Sequence, residues 1–249
     1  MAAIDTFVQR VVINLIKKNR IASVCDYGCG KGDLLTALAN EFPGSLRLTG
    51  VDYFSKFPEA SPPISDNSIA LIDRGTNHYD ELLDSRRFDM IVSTFALHHY
   101  RYPVAELRNM ATLLSPGGTM ILADLAFDNV NDAQIVKNIS SYVTESFASF
   151  RGQYHRHHYT LEEALDIVSA IDVEVTESSK KTIPPDGADL EEEVESHLAH
   201  FDRMIEVLPE MKSSLVEDYF RLLIPYTKAL VQEHKIDYSS VFVIVARKS

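Results

Sequence analysis

The residues best suited to chemistry lie in four short stretches: Asp26-Tyr27-Gly28-Cys29-Gly30-Lys31-Gly32, Asp52-Tyr53, Ser93 through Tyr100, and Tyr154 through Tyr159. In the first, glycines at every second position follow the short apolar run that includes Val24 and Cys25. Glycine there lets the backbone turn sharply and lets a ligand approach the main chain with no Cβ in the way. Asp52 closes a second apolar run, Leu46 to Val51, where a carboxylate can accept hydrogen bonds from two ribose hydroxyls. Together these describe a nucleoside-binding crevice at the carboxyl ends of strands in an open α/β sheet. His98 and His99 follow a third apolar run, Phe88 to Ser93. An imidazole titrates near neutrality, so either ring can take a proton from a hydroxyl or an amine.

The glycine spacing decides against a nicotinamide dinucleotide. That fingerprint carries its third glycine where this chain has Asp33. Carboxylates on both sides of the turn, Asp26 and Asp33, suit a cationic ligand better than a pyrophosphate. The Asp26-x-Gly28-x-Gly30-x-Gly32 turn, Asp52, Leu97-His98-His99 and Pro116-Gly117-Gly118 arrive in an order that resembles the class I S-adenosylmethionine-dependent methyltransferases of the small-molecule type. The resemblance covers residues 20–126 and is only an outline beyond them.

That resemblance implies a cofactor site made of Asp26, Tyr27, Gly28, Gly30, Gly32, Asp52, Tyr53, Asn77 and Ser93. Asp52 would hold the ribose diol, Tyr53 lie against the adenine, Asn77 meet its exocyclic amine, and the Ser93 carbonyl meet the cofactor ammonium. It implies S-adenosylmethionine as cofactor, S-adenosylhomocysteine as product, and an acceptor pocket drawn from Tyr100, Asp124, Tyr154, His155 and His158, with His98 or His99 as catalytic base. Three histidines in the four residues 155–158 suggest a metal at first sight, but no acidic or cysteine partner stands at a defined spacing, so no metal is predicted. Two other readings stay open on the same residues: a non-catalytic scaffold with this fold, and another transfer on it, such as aminopropyl transfer.

A net charge of −12 argues against a nucleic-acid or membrane partner, both of which need a basic footprint. The expected partner is a small methyl acceptor. The first 20 residues lack the continuous apolar core of a signal peptide, and no run reaches transmembrane length. Cys25 and Cys29, both in the glycine turn, read as small, buried, reduced thiols of a cytoplasmic protein.

The elements that must position these residues follow from hydrophobic periodicity. An amphipathic helix over 4–19 precedes strands expected at 22–27, 46–51, 68–73, 88–93 and 119–125, with helices at 32–41, 78–85 and 103–114 between them. Strands alternating with helices imply an α/β, doubly wound, mostly parallel sheet. Helices over 131–150 and 160–170 and strands over 172–177 and 241–246 complete seven strands, the Rossmann-like methyltransferase fold that the resemblance implies. Some 60 residues separate the last two strands and carry apolar residues every three or four positions (Leu190, Val194, Leu198, Phe201, Ile205, Leu208), so a helical cap is inserted there. The expected division is a core of 1–182 and 237–249, and an insertion of 183–236 that serves as acceptor lid or as the surface of a homodimer.

Overall fold

The computed structural model describes residues 2–54, 69–76, 83, 86–128, 130–152, 154, 156–183, 187–237 and 240–249. Its centre is a seven-stranded sheet: β1 (Ser23–Tyr27), β2 (Arg47–Asp52), β3 (Ile69–Asp73), β4 (Phe88–Thr94), β5 (Leu114–Leu125), β6 (Glu174–Thr182) and β7 (Ser240–Arg247). The order across the sheet is β3-β2-β1-β4-β5-β7-β6. β1 lies parallel to β2 and β4, β2 to β3, and β4 to β5. β1 is buried along its whole length, as expected for a central parallel strand with both faces covered. β7 runs antiparallel to β5: the Gly117 amide donates to the Lys248 carbonyl and the Lys248 amide to the Gly118 carbonyl, while at the other end Ala126 donates to Ser240. This is the α/β, doubly wound, mostly parallel architecture anticipated above.

The helices are α1 (Ala2–Lys18), α2 (Asp33–Glu41), α3 (Pro103–Leu113), α4 (Asp132–Phe150), α5 (Leu161–Ser169), α6 (Gly187–Glu206) and α7 (Ser214–His234). Pro103 opens α3 at a position where its missing N–H costs nothing. Asn131 caps α4, its side-chain oxygen accepting from the Gln134 amide at 2.8 Å.

Several boundaries differ from the expectation for physical reasons. β5 begins at Leu114 rather than Thr119, because Pro116-Gly117-Gly118 forms a bulge inside the strand: Phe88 of β4 faces Leu114, while Met90 already faces Thr119. β6 starts at Glu174 and continues to Thr182; its whole length is solvent-exposed, so no apolar alternation marks it. Its charges, Glu174, Glu177, Lys180 and Lys181, blunt the free sheet edge. α7 starts at Ser214, after a 3-10 turn at Leu208–Glu210, and runs through Pro225. The helix expected at 78–85 lies outside the described residues save Leu83.

The chain packs as two compact units. One holds 5–124, 161–180 and 242–249, and so nearly all of the sheet. The other gathers 125–160 and 181–241 with the first residues of the chain. Its core joins Val136, Val143 and Phe147 of α4 to Val194, Phe201 and Met204 of α6 and to Phe220, Ile224 and Val231 of α7. The helical unit is therefore wider than the 183–236 insertion, since α4 supplies one wall of its core.

Candidate functional site

The glycine turn is pinned to the end of β2. Gly28 and Cys29 donate their amides to the Val51 carbonyl (2.8 and 3.2 Å), and Gly30 donates to Asp52 Oδ2 at 2.7 Å. Asp52 Oδ1 accepts from the Tyr53 amide, also at 2.7 Å. Each carboxylate oxygen thus takes one backbone N–H and keeps a second lone pair, the capacity a ribose diol requires. Gly28, Gly30 and Gly32 all have positive φ (83°, 50° and 78°). A Cβ on Gly28 would meet the Ala96 Cβ at 2.7 Å, whereas one on Gly30 would meet nothing within 4 Å. The first glycine closes the packing and the second opens ligand space. The amides of both glycines are committed to β2, so what the turn presents to a ligand is that open space.

Asp26, at the carboxyl end of β1, is 1 % exposed, and its Oδ1 has no hydrogen-bond partner among the described residues. Burial, and then the nearby Asp52 charge, push its carboxyl up to about 7. An orphaned buried carboxylate beside a second one is a site waiting for positive charge. Burial likewise pushes the Cys25 and Cys29 thiols up, which leaves them inert packing groups.

Tyr53 lies in a clamp. The Arg74 guanidinium, just past β3, sits between two rings, 4.7 Å from the Tyr53 centroid and 4.9 Å from that of Tyr27. Its Nη2 donates to both carboxylate oxygens of Glu106 on α3, at 2.9 Å each. The Tyr27 hydroxyl donates to the same carboxylate at 3.1 Å. The Tyr27 side chain is therefore a fully buried strut rather than a ligand contact. Arg74 and Glu106 were absent from the expected site. They stand 32 residues apart, and no local spacing pairs them; a cation directly after β3 was the one available signal.

Beyond β4 the chain turns through Phe95, whose φ of 53° is in the left-handed region that a bulky residue rarely enters. The turn is tied by the Phe95 amide to the Ala123 carbonyl at 2.8 Å. It leads into a 3-10 turn at Leu97–His99 and swings His98 onto Asp124 near the end of β5. His98 Nδ1 lies 3.0 and 2.8 Å from the two Asp124 oxygens, and the His98 amide also donates to Asp124 at 3.2 Å. His98 is 6 % exposed and Asp124 is fully buried. A carboxylate can only accept, so the proton sits on Nδ1 and Nε2 becomes the basic atom of the ring. A bulky residue held at positive φ costs energy that the surrounding contacts must supply.

Other expected residues fall differently. His99 is exposed, its ring 4.0 Å from that of His98. Tyr100 was expected in the acceptor pocket. It is buried instead, its hydroxyl 2.9 Å from Ser93 Oγ and 3.1 Å from the Tyr27 carbonyl, so it props the glycine turn against β4. Burial pushes its phenol up. In the helical unit His158 is buried and Tyr154 is exposed. Asn77 and His155 lie outside the described residues. Sequence reasoning missed an aromatic trio in the helical unit: the rings of Phe127, Tyr142 and His157 lie 5.1–6.1 Å apart, centroid to centroid. Phe127 comes three residues after Asp124, a signal that was available.

A model of the methyltransferase-domain family matches residues 3–178, well over half of the chain. The chain belongs to that family. It is a class I, Rossmann-like S-adenosylmethionine-dependent member, and the open glycine turn, the orphaned Asp26 and the Asp52 carboxylate fit that cationic adenosyl cofactor. Among curated relatives, it is 30% identical over 106 residues to a ubiquinone biosynthesis O-methyltransferase of Xanthomonas campestris (42% of this chain, 43% of that protein). It is 27% identical over 118 residues to a tRNA U34 carboxymethyltransferase of Pseudoalteromonas translucida (46% and 35%). The chain thus spans less than half the length of these two. Solved structures share the methyltransferase fold. A cyclopropane-fatty-acyl-phospholipid synthase-like protein from Lactobacillus casei aligns with a TM-score of 0.64 at 18% identity (90% of this chain, 84% of that one). Coclaurine N-methyltransferase aligns with a TM-score of 0.53 at 15% identity (96% and 72%).

Proposed function

We propose that this methyltransferase-domain protein transfers a methyl group from S-adenosylmethionine to an O, N or C atom of a small organic molecule, with His98, oriented by Asp124, taking the acceptor's proton. The observation that carries the reading is the His98–Asp124 pair at 2.8 Å, which follows the strained Phe95 turn. The cofactor supplies a methyl group on a positively charged sulfur. The residues of the chain bind, orient and hold a proton. Asp52 holds the nucleoside, Asp26 balances the cofactor's positive charge, and His98 Nε2 accepts the proton. Positioning in a water-poor site supplies much of the rate.

An RNA acceptor is the second reading, favoured by the likeness to the tRNA carboxymethyltransferase. The net charge of −12 weighs against it, because RNA affinity comes largely from neutralised phosphates. Among the described residues no helix is long and apolar enough to cross a membrane, which is consistent with the cytoplasmic location we infer.

The test is calorimetric titration with S-adenosylmethionine, S-adenosylhomocysteine and NAD, followed by turnover on a panel of phenols, amines and carbon acids. Adenosyl ligands should bind and NAD should not. His98→Ala should leave S-adenosylhomocysteine affinity intact and lower kcat by about 100-fold or more. Failure of the folded protein to bind either adenosyl ligand would remove the methyltransferase reading. Binding without turnover on small molecules or RNA would favour the scaffold.

A further inference from the structure

Helix α7 has two apolar faces, and only one is used. Phe220, Ile224, Thr227 and Val231 point into the helical core. On the outer side Leu215, Tyr219, Leu222 and Tyr226 are 77, 51, 79 and 62 % exposed. Their spacing of four, three and four places them in one stripe about 17 Å long. Single exposed apolar residues are ordinary, but a continuous stripe of four large ones at coiled-coil spacing is not.

We propose that this stripe is the interface of a homodimer in which α7 packs antiparallel against α7 of a second copy. Two features favour a second copy as the occupant. First, the stripe is self-complementary. A two-fold axis between residues 219 and 222 sets Tyr219 against Leu222 and Leu215 against Tyr226, each ring meeting an aliphatic side chain, twice over. Second, the area suffices. Four such side chains offer on the order of 500 Å² per copy and about 1,000 Å² per pair, the lower bound of a specific interface. The interface leaves the inner face of α7 in place, since Phe220 and Ile224 keep their core contacts. It does not depend on the proposed methyl transfer.

Sedimentation velocity from about 1 to 100 µM, a range that brackets weak and ordinary dimers, tests it. The wild type should sediment as a dimer at the upper end. Leu222→Glu should raise the dimer dissociation constant by at least about 30-fold while circular dichroism stays unchanged, because Leu222 is 79 % exposed. Oxidation then reads the orientation, with no interference from Cys25 and Cys29, which are buried. Leu215→Cys combined with Tyr226→Cys should cross-link into a covalent dimer, and Leu215→Cys alone should not. A wild type that stays monomeric throughout overturns the proposal and moves the stripe to another partner. Cross-linking by Leu215→Cys alone overturns the antiparallel arrangement.

Discussion

The end of β2 and the inner face of α7 hold themselves together by opposite means. Around Asp52 the binding is polar and short-range: a few backbone amides converge on one carboxylate and one carbonyl, and a cation locks a ring from 4.7 Å. Around Phe220 the ring contacts are aromatic; Phe147 and Phe150 meet it edge-on at 5.2 and 5.9 Å, and the energy is burial. The first kind of site gains specificity from atoms at fixed places. The second gains stability from volume, and it tolerates change until a cavity opens. Damage to Phe220 should therefore appear as stability, and damage to Asp52 or Arg74 as ligand affinity.

The largest effect should come from the hydrophobic side. Phe220→Ala removes a fully buried ring and should cost about 3–5 kcal/mol of stability, seen as a marked fall in Tm or in the denaturant midpoint. Its affinity for S-adenosylhomocysteine at a temperature where it remains folded should be unchanged; a parallel loss of affinity would erase the contrast. Asp52→Ala comes next, with an expected rise in the dissociation constant of S-adenosylhomocysteine of about 100-fold by calorimetry, since charge-assisted bonds to both the loop and the ligand go together. Arg74→Gln should weaken the same ligand by a smaller factor, about 10-fold, by freeing Tyr53. Glu106→Gln should act in the same direction, and an unchanged affinity in both would separate the clamp from the nucleoside site.

The smallest effect is a slope. The Asp26 carboxyl is raised in the folded protein, by burial first and by Asp52 second, to about 7 from an ordinary 3.8. Between those two values the folded state holds a proton that the unfolded state has lost. This group's contribution to stability is fully present below the lower value and disappears as pH rises through the upper one. The ligand-free protein should lose stability from pH 5 to pH 8 more steeply than Asp26→Asn, measured by denaturant midpoints. Binding of a cationic adenosyl ligand favours the charged carboxyl, so wild-type affinity should strengthen as pH rises through 7, and the Asn variant should lack that trend.

How far the chain could be read in advance differs between the same two regions. The glycine turn, Asp52 and the places of the parallel strands along the chain were legible because each depends on local steric rules: positive φ at glycine, a continuous apolar run for a buried parallel strand, a carboxylate at a strand end. α6 was legible as a helix from the periodicity of Leu190, Val194, Leu198, Phe201 and Ile205. What periodicity could not say is which apolar stripe of α7 faces inward, because Phe220 and Tyr219 are adjacent in sequence and alike in hydrophobicity. Nor could it place α4 in the helical core, since its partners lie more than forty residues further along the chain.

The sequence by itself determined the cofactor class: residue types at fixed short spacings carry the resemblance to the S-adenosylmethionine-dependent family, and Asp33 at the place of a third glycine argues against a dinucleotide. Only the tertiary structure told the two neighbouring histidines apart. It set Asp124, 26 residues away, at 2.8 Å from the His98 ring and left His99 exposed. It turned Tyr100 from an expected pocket residue into a prop for the glycine turn, and it brought Arg74 to Glu106. Each of these is a contact between different elements of the fold. Its geometry follows from how the sheet and its helices pack, and no local spacing of residues encodes it.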